Sequence, residues 1–139
     1  MSMTIIVSKT LAAVIPSTLS QLQHALTTIT NRQARIVYSN FVNTALAPKE
    51  TVQITTAHQL KHPDSPLKLK REISPDEVHI VFHPENGLMV IAGSKDIIKK
   101  ACTRAMMLIR EQCISLPDRK PRFEEIFWNG TIQNVDYTM

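Results

Sequence analysis

The spacing of apolar residues changes several times along the chain, and each change marks an element. Thr4 to Val7 is a β-branched run that reads as a short first strand. Leu19, Leu22, Leu26 and Ile29 recur three, four and three residues apart, which puts them on one helical face. Pro16, Ser17 and Thr18 precede them, and Thr18 with Gln21 has the spacing of a capping box. A helix is therefore predicted over about 18–30. Ala34 to Val42 carries Ile36, Val37, Tyr38, Phe41 and Val42 with no internal proline or glycine, the composition of a strand. Thr51 to Thr56 alternates Val52 and Ile54 with polar neighbours, the period of a strand with one wet face.

From His58 to Pro75 the pattern dissolves into prolines and bases, and the stretch reads as a basic, proline-containing loop region. Within it Leu67, Leu69 and Arg71 fit a short edge strand, whose alternating lysines would discourage pairing with a foreign sheet. Val78 to Phe82 and Leu88 to Ala92 then flank Pro84, Glu85, Asn86 and Gly87. Asn and Gly tolerate positive φ, so the segment predicts a hairpin with a loop wider than two residues. Ser94 is placed to cap a following helix, and Asp96 in its first turn complements the helix dipole. Ile97, Ile98, Ala101, Cys102, Ala105, Met106, Leu108 and Ile109 give that helix a wide apolar face, with Lys99, Lys100, Thr103, Arg104 and Arg110 directed away. A basic connector from Leu116 to Pro121 leads into an aromatic cluster, and Thr131 to Val135 reads as a last strand.

These elements predict one α+β domain over 1–139, a mixed or mainly antiparallel sheet packed by two helices, with 117–139 as a C-terminal extension. No internal repeat or low-complexity segment marks a second domain. The strand, turn, strand and helix from His79 to Arg110 resemble the closing portion of a repeat in the TATA-binding-protein fold. The residues that carry this are His79, Ile80, Val81 and Phe82, then Gly87 to Ser94, and Ala101 in the helix. The same unit is similar to the glycine-then-helix pattern of some K-homology RNA-binding folds. The likeness covers about a quarter of the chain and concerns topology alone. With no Gly-x-x-Gly loop and no second repeat, neither family's binding residues carry over.

Composition narrows the functional classes. The 139 residues are 43% hydrophobic and 20% charged, ordinary for a globular chain. No apolar run approaches the roughly 18 residues of a membrane span, and no basic region precedes Ile5, Ile6 and Val7 as in a secretory signal, so an intracellular chain, cytoplasmic or nuclear, is expected. Three glycines exclude the usual phosphate cradle and dinucleotide fingerprint. A Gly-x-Ser-x-Gly elbow is also missing. Cys102 and Cys113 fall eleven residues apart on one predicted helix, about 16 Å and beyond disulfide reach, and read as reduced core thiols. His79 and His83 would sit about 13 Å apart on a strand. His58 and His62 are near Pro63 with few acids, and Glu124 and Glu125 diverge, so no metal ligand, cofactor or catalytic residue is assigned.

What remains is surface. The net charge is +4, and bases gather at Lys68, Lys70 and Arg71, at Lys99, Lys100 and Arg104, and at Arg119, Lys120 and Arg122. These are the candidate nucleic-acid contacts. Aromatics are only 5% and do not interleave with the bases, so a stacking platform is not expected. Met107 on the polar side of the last helix, and Phe123, Phe127 and Trp128 beside Ile126, are candidate interface residues, the alternative being that they complete the monomer's own core. The chain therefore reads as a non-enzymatic binding or assembly subunit of an intracellular complex, with RNA as the specific expectation and a protein partner or homo-oligomer expected. The alternatives are a self-associating structural or viral assembly protein and a small enzyme with a discontinuous site.

Overall fold

The structure is a computed structural model that describes residues 3–30, 32–42, 50–66, 68–69, 72–83, 87–114 and 137–138. Its elements are β1 (Met3–Val7), α1 (Lys9–Val14), α2 (Pro16–Thr30), β2 (Ala34–Tyr38), β3 (Thr51–Thr56), α3 (Ala57–Lys61), β4 (Lys68–Leu69), β5 (Val78–His83), β6 (Gly87–Ala92), α4 (Ile98–Ile114) and β7 (Tyr137–Thr138), with a 3₁₀ turn over Lys95–Ile97 before α4. Five strands form one sheet in the order β2-β1-β3-β6-β5. The sheet is mixed, as the sequence allowed. Parallel pairing dominates over antiparallel: β1 runs parallel to β2 and β3, β3 runs parallel to β6, and only β5 opposes β6.

Parallel strands need crossovers that cover the sheet, and this explains where the core sits. Met3, Ile5 and Val7 of β1, Val52 and Ile54 of β3, and Leu88, Val90 and Ala92 of β6 face α2 and α4. Leu19, Leu22 and Leu26 of α2, with Ile98, Ala101, Cys102, Ala105 and Ile109 of α4, close that layer. Truncating any one of its large members should cost about 2–5 kcal/mol. The opposite face has a smaller core of Val42, Ala57, Leu60, Ile73, Met89 and Ile91. β3 consequently has no wet face. All six of its residues are buried, Thr51, Gln53 and Thr55 among them, because the chain covers both sides.

Local chemistry moved several boundaries from those expected. Helix begins at Lys9, where the Ser8 hydroxyl accepts from the Leu11 N–H at 3.2 Å. It breaks at Ile15, φ −128°, because the residue before a proline avoids the α region, and α2 restarts at Pro16. Thr18 is thus inside α2 and buried, so it forms no capping box. The Thr27 hydroxyl donates to the Gln23 carbonyl at 2.9 Å and accepts from the Ala34 N–H at 3.2 Å, while Gln23 Nε2 donates to the Ala34 carbonyl at 2.8 Å. These bonds dock the end of α2 on the start of β2. The strand expected over 34–42 stops at Tyr38. The short α3, hidden in the region read as loop, is capped by Thr56, whose hydroxyl accepts from the Gln59 N–H.

The hairpin is where it was expected, with Gly87 at φ +87°. Of the edge strand expected near Leu67 to Arg71, Lys68 and Leu69 form β4, paired antiparallel with β7, and Leu67 and Arg71 lie outside the described residues. The expected strand over Thr131 to Val135 lies outside the described residues. Ser94 precedes the 3₁₀ turn but makes no side-chain cap. Its hydroxyl donates instead to the Pro75 carbonyl at 2.8 Å. Among the described residues no helix is long and apolar enough to cross a membrane.

Candidate functional site

The apolar face of α4 fixes what its other face presents. With Ile98, Ala101, Cys102, Ala105 and Ile109 inward, Lys99, Lys100, Arg104 and Met107 must point out, and all four are exposed. Lys100, Arg104, Met107 and Leu108 succeed one another at helical spacing, so cations and an apolar side chain share one stripe. Met107 is 54% exposed, high for its type. Asp96, Ile97, Thr103 and Leu108 join them around a hollow of about 620 Å³. Because a single helix is convex, α4 forms a wall of this hollow and not an enclosed pocket.

Charge on this wall is one-sided. From Lys95 to Arg110 there are five bases, Lys95, Lys99, Lys100, Arg104 and Arg110, against the single acid Asp96, so the segment alone matches the whole chain's +4. One further acid feels it from the loop before β5. The Asp76 carboxyl is held below the usual carboxylate range, first by the hydrogen bond from the Ser74 hydroxyl, then by its own backbone N–H, with the Lys100 charge contributing least. That loop is locked onto the root of α4. The Gly93 N–H donates to the Glu77 carbonyl at 2.8 Å, Ser94 reaches Pro75, and Glu77 takes the Ser74 N–H at 3.2 Å and contacts His79 Nε2 at 2.7 Å.

The three expected base clusters fare differently. Lys99, Lys100 and Arg104 share the α4 face with Met107. Lys68 is in β4, apart from α4 in the chain, and the structure brings the two clusters together through no described contact. Lys70, Arg71, Arg119, Lys120, Arg122, Phe123, Phe127 and Trp128 lie outside the described residues. Asp96, Ile97, Thr103 and Leu108 were read in the sequence only as helix-start, apolar-face or outward positions and Lys95 was not named, although the i, i+3, i+4 spacing around Lys100 and Arg104 would have found most of them as site residues.

The usual place for ligands in an open sheet is the crevice where crossovers diverge, here at the carboxyl ends of β1 and β3. In this chain that place is filled. Ile6, Ser39 to Val42, Gln53, Thr55 and Gln59 surround a gap of about 170 Å³ with no room for a water-sized group. The Thr55 hydroxyl donates to Gln59 Oε1 at 2.9 Å, and Gln59 Nε2 donates to the Asn40 carbonyl at 3.0 Å, so the polar groups there serve one another. His62 contacts Asp64 at 3.8 Å and stacks at a tilt on Phe41. His79 pairs with Glu77, and among the described residues no three His, Cys, Asp or Glu groups converge as a metal set. Cys102 is a core thiol whose pKa burial pushes up to about 12, which keeps it protonated and unreactive.

Fold and surface together define an α+β domain with a mixed five-stranded sheet and a cationic, partly apolar helix face. No family model, curated protein or solved structure matches the chain.

Proposed function

We propose that the chain is a non-enzymatic binding subunit that docks an anionic partner, RNA in the specific version, on the outward face of α4. The observation that carries this is the exposed set Lys99, Lys100 and Arg104 on a segment with five bases and one acid. Such a surface gains affinity from phosphates by releasing their counterions and reads little base sequence. The buried, protonated thiol Cys102 suits a reducing compartment, which supports an intracellular site of action.

Fluorescence anisotropy of a labelled single-stranded RNA, titrated across salt, tests the reading. Replacing Lys99, Lys100 and Arg104 by glutamine should leave the fold intact and weaken binding. It should also flatten the slope of log K against log salt by about two units, at roughly 0.7 per lost phosphate contact. An unmodified chain that fails to bind RNA at low salt would sink the proposal. Met107, exposed in the same stripe, favours a second reading in which the partner is an acidic protein segment with an apolar anchor. On that reading Met107→Ala weakens binding as much as loss of the bases.

A further inference from the structure

We propose that residues 123–128 of this chain dock on the outward face of its own α4 and fill the hollow there. The chemistry of the face selects the occupant. Ile97 and Leu108 pack on the main core from one side and line the hollow from the other, and Met107 adds a third apolar side chain to that lining. Lys99, Lys100 and Arg104 share it, and none of the three has a salt-bridge partner among the described residues. A fitting occupant therefore offers large apolar groups and carboxylates close together. At about 620 Å³ the hollow is in the size range that takes such a group of side chains.

The chain carries a stretch of this kind just beyond α4. Phe123, Ile126, Phe127 and Trp128 are four large apolar side chains within six residues, with Glu124 and Glu125 among them and no base. Left in water, so much apolar surface is costly. The tether is long enough to bring the two together. Met107 is about 10 Å along the helix axis from Ile114, where α4 ends, and Lys100 is about 21 Å from it. Residues 115–122 can span about 26 Å when extended, so 123–128 can turn back alongside Lys100 to Met107. Residues 129–136 then leave as much chain again to reach β7, which is held on β4. On this path Arg119, Lys120 and Arg122 pass the carboxyl end of α4, where the helix dipole favours cations.

A second copy could present the same residues, but a short tether gives the attached segment the higher effective concentration. Segment and RNA would claim the same cations and so compete for α4, a consequence that rests on the function proposed above.

Trp128 is the only tryptophan, so its fluorescence in the full chain reports on this segment alone. The native emission should lie to the blue of that of the urea-unfolded chain and resist quenching by acrylamide. Met107→Asp, at an exposed position, should shift it to the red and raise the quenching while circular dichroism is unchanged, and so should joint replacement of Lys99, Lys100 and Arg104 by glutamine. Met107→Cys with Phe127→Cys, in a Cys113→Ala background, should close a disulfide within one chain on mild oxidation, Cys102 being buried. Val14→Cys, exposed on α1, should stay reduced when paired with Phe127→Cys. If Met107→Asp unfolds the chain, the cross-link decides alone. A native Trp128 as exposed as in urea, a shielded Trp128 that neither variant moves, or a 107–127 cysteine pair that stays reduced or joins two chains overturns the inference. None of these readouts contains RNA, so failure here and failure of RNA binding are distinguishable.

Discussion

Cys102 shows how one side chain ties stability to solution conditions. Burial raises its pKa from an ordinary 9.0 to about 12, so the folded state holds a proton that the unfolded state releases between those values. Below pH 9 both states keep the proton and the contribution to stability is complete. Above it the unfolded chain binds fewer protons, and stability falls with rising pH by up to about 1.4 kcal/mol per unit. Urea midpoints measured between pH 8 and 11 should therefore drop more steeply in the native chain than in Cys102→Ala. Parallel slopes would mean that the thiol is not shielded as the core implies.

At the level of elements, the junction of β6 and α4 depends on Gly93. A Cβ there would lie 1.9 Å from the Ser74 carbonyl oxygen, so the loop before β5 and the root of α4 could not remain in contact. Gly93→Ala should destabilise the chain by about 1–3 kcal/mol, the ordinary range for overpacking, and thermal denaturation would register it. Such a contact is invisible in sequence, where Gly93 reads only as punctuation. The hairpin, α2 and α4 were legible because long periodic segments and an Asn-Gly turn signal their own structure. The missed helices are short: α1 and α3 each depend on one capping hydroxyl, Ser8 or Thr56, a weaker signal than periodicity. Parallel pairing was hidden for another reason, since β3 presents alternating polar residues that happen to be buried. Of the candidate surface, Lys99, Lys100, Arg104 and Met107 were legible from the helical wheel, whereas the locking of Asp76 and Ser74 onto that wall required the tertiary structure.

For the molecule as a whole, strand order governs folding. Thr4 pairs with Thr51 and Val52 pairs with Leu88, so most of the sheet joins residues far apart in sequence, and only β5 and β6 form a local pair. Non-local topology of this kind folds in milliseconds to seconds. In stopped-flow measurements Ile5→Val in the interior strand β1 should slow refolding, whereas Leu60→Ala in the peripheral second core should mainly speed unfolding. The reverse ranking would place the nucleus on the wrong side of the sheet.

β1 has one more consequence during synthesis. It is the earliest of the five strands to be made, yet it ends between β2 and β3, so neither edge can be satisfied until later segments appear. At about 5–20 residues per second, β3 follows β1 from the ribosome only after a few seconds. For that interval Met3, Ile5, Ile6 and Val7 form a sticky segment with at least one edge unpaired, the kind of sequence a nascent-chain chaperone would shield.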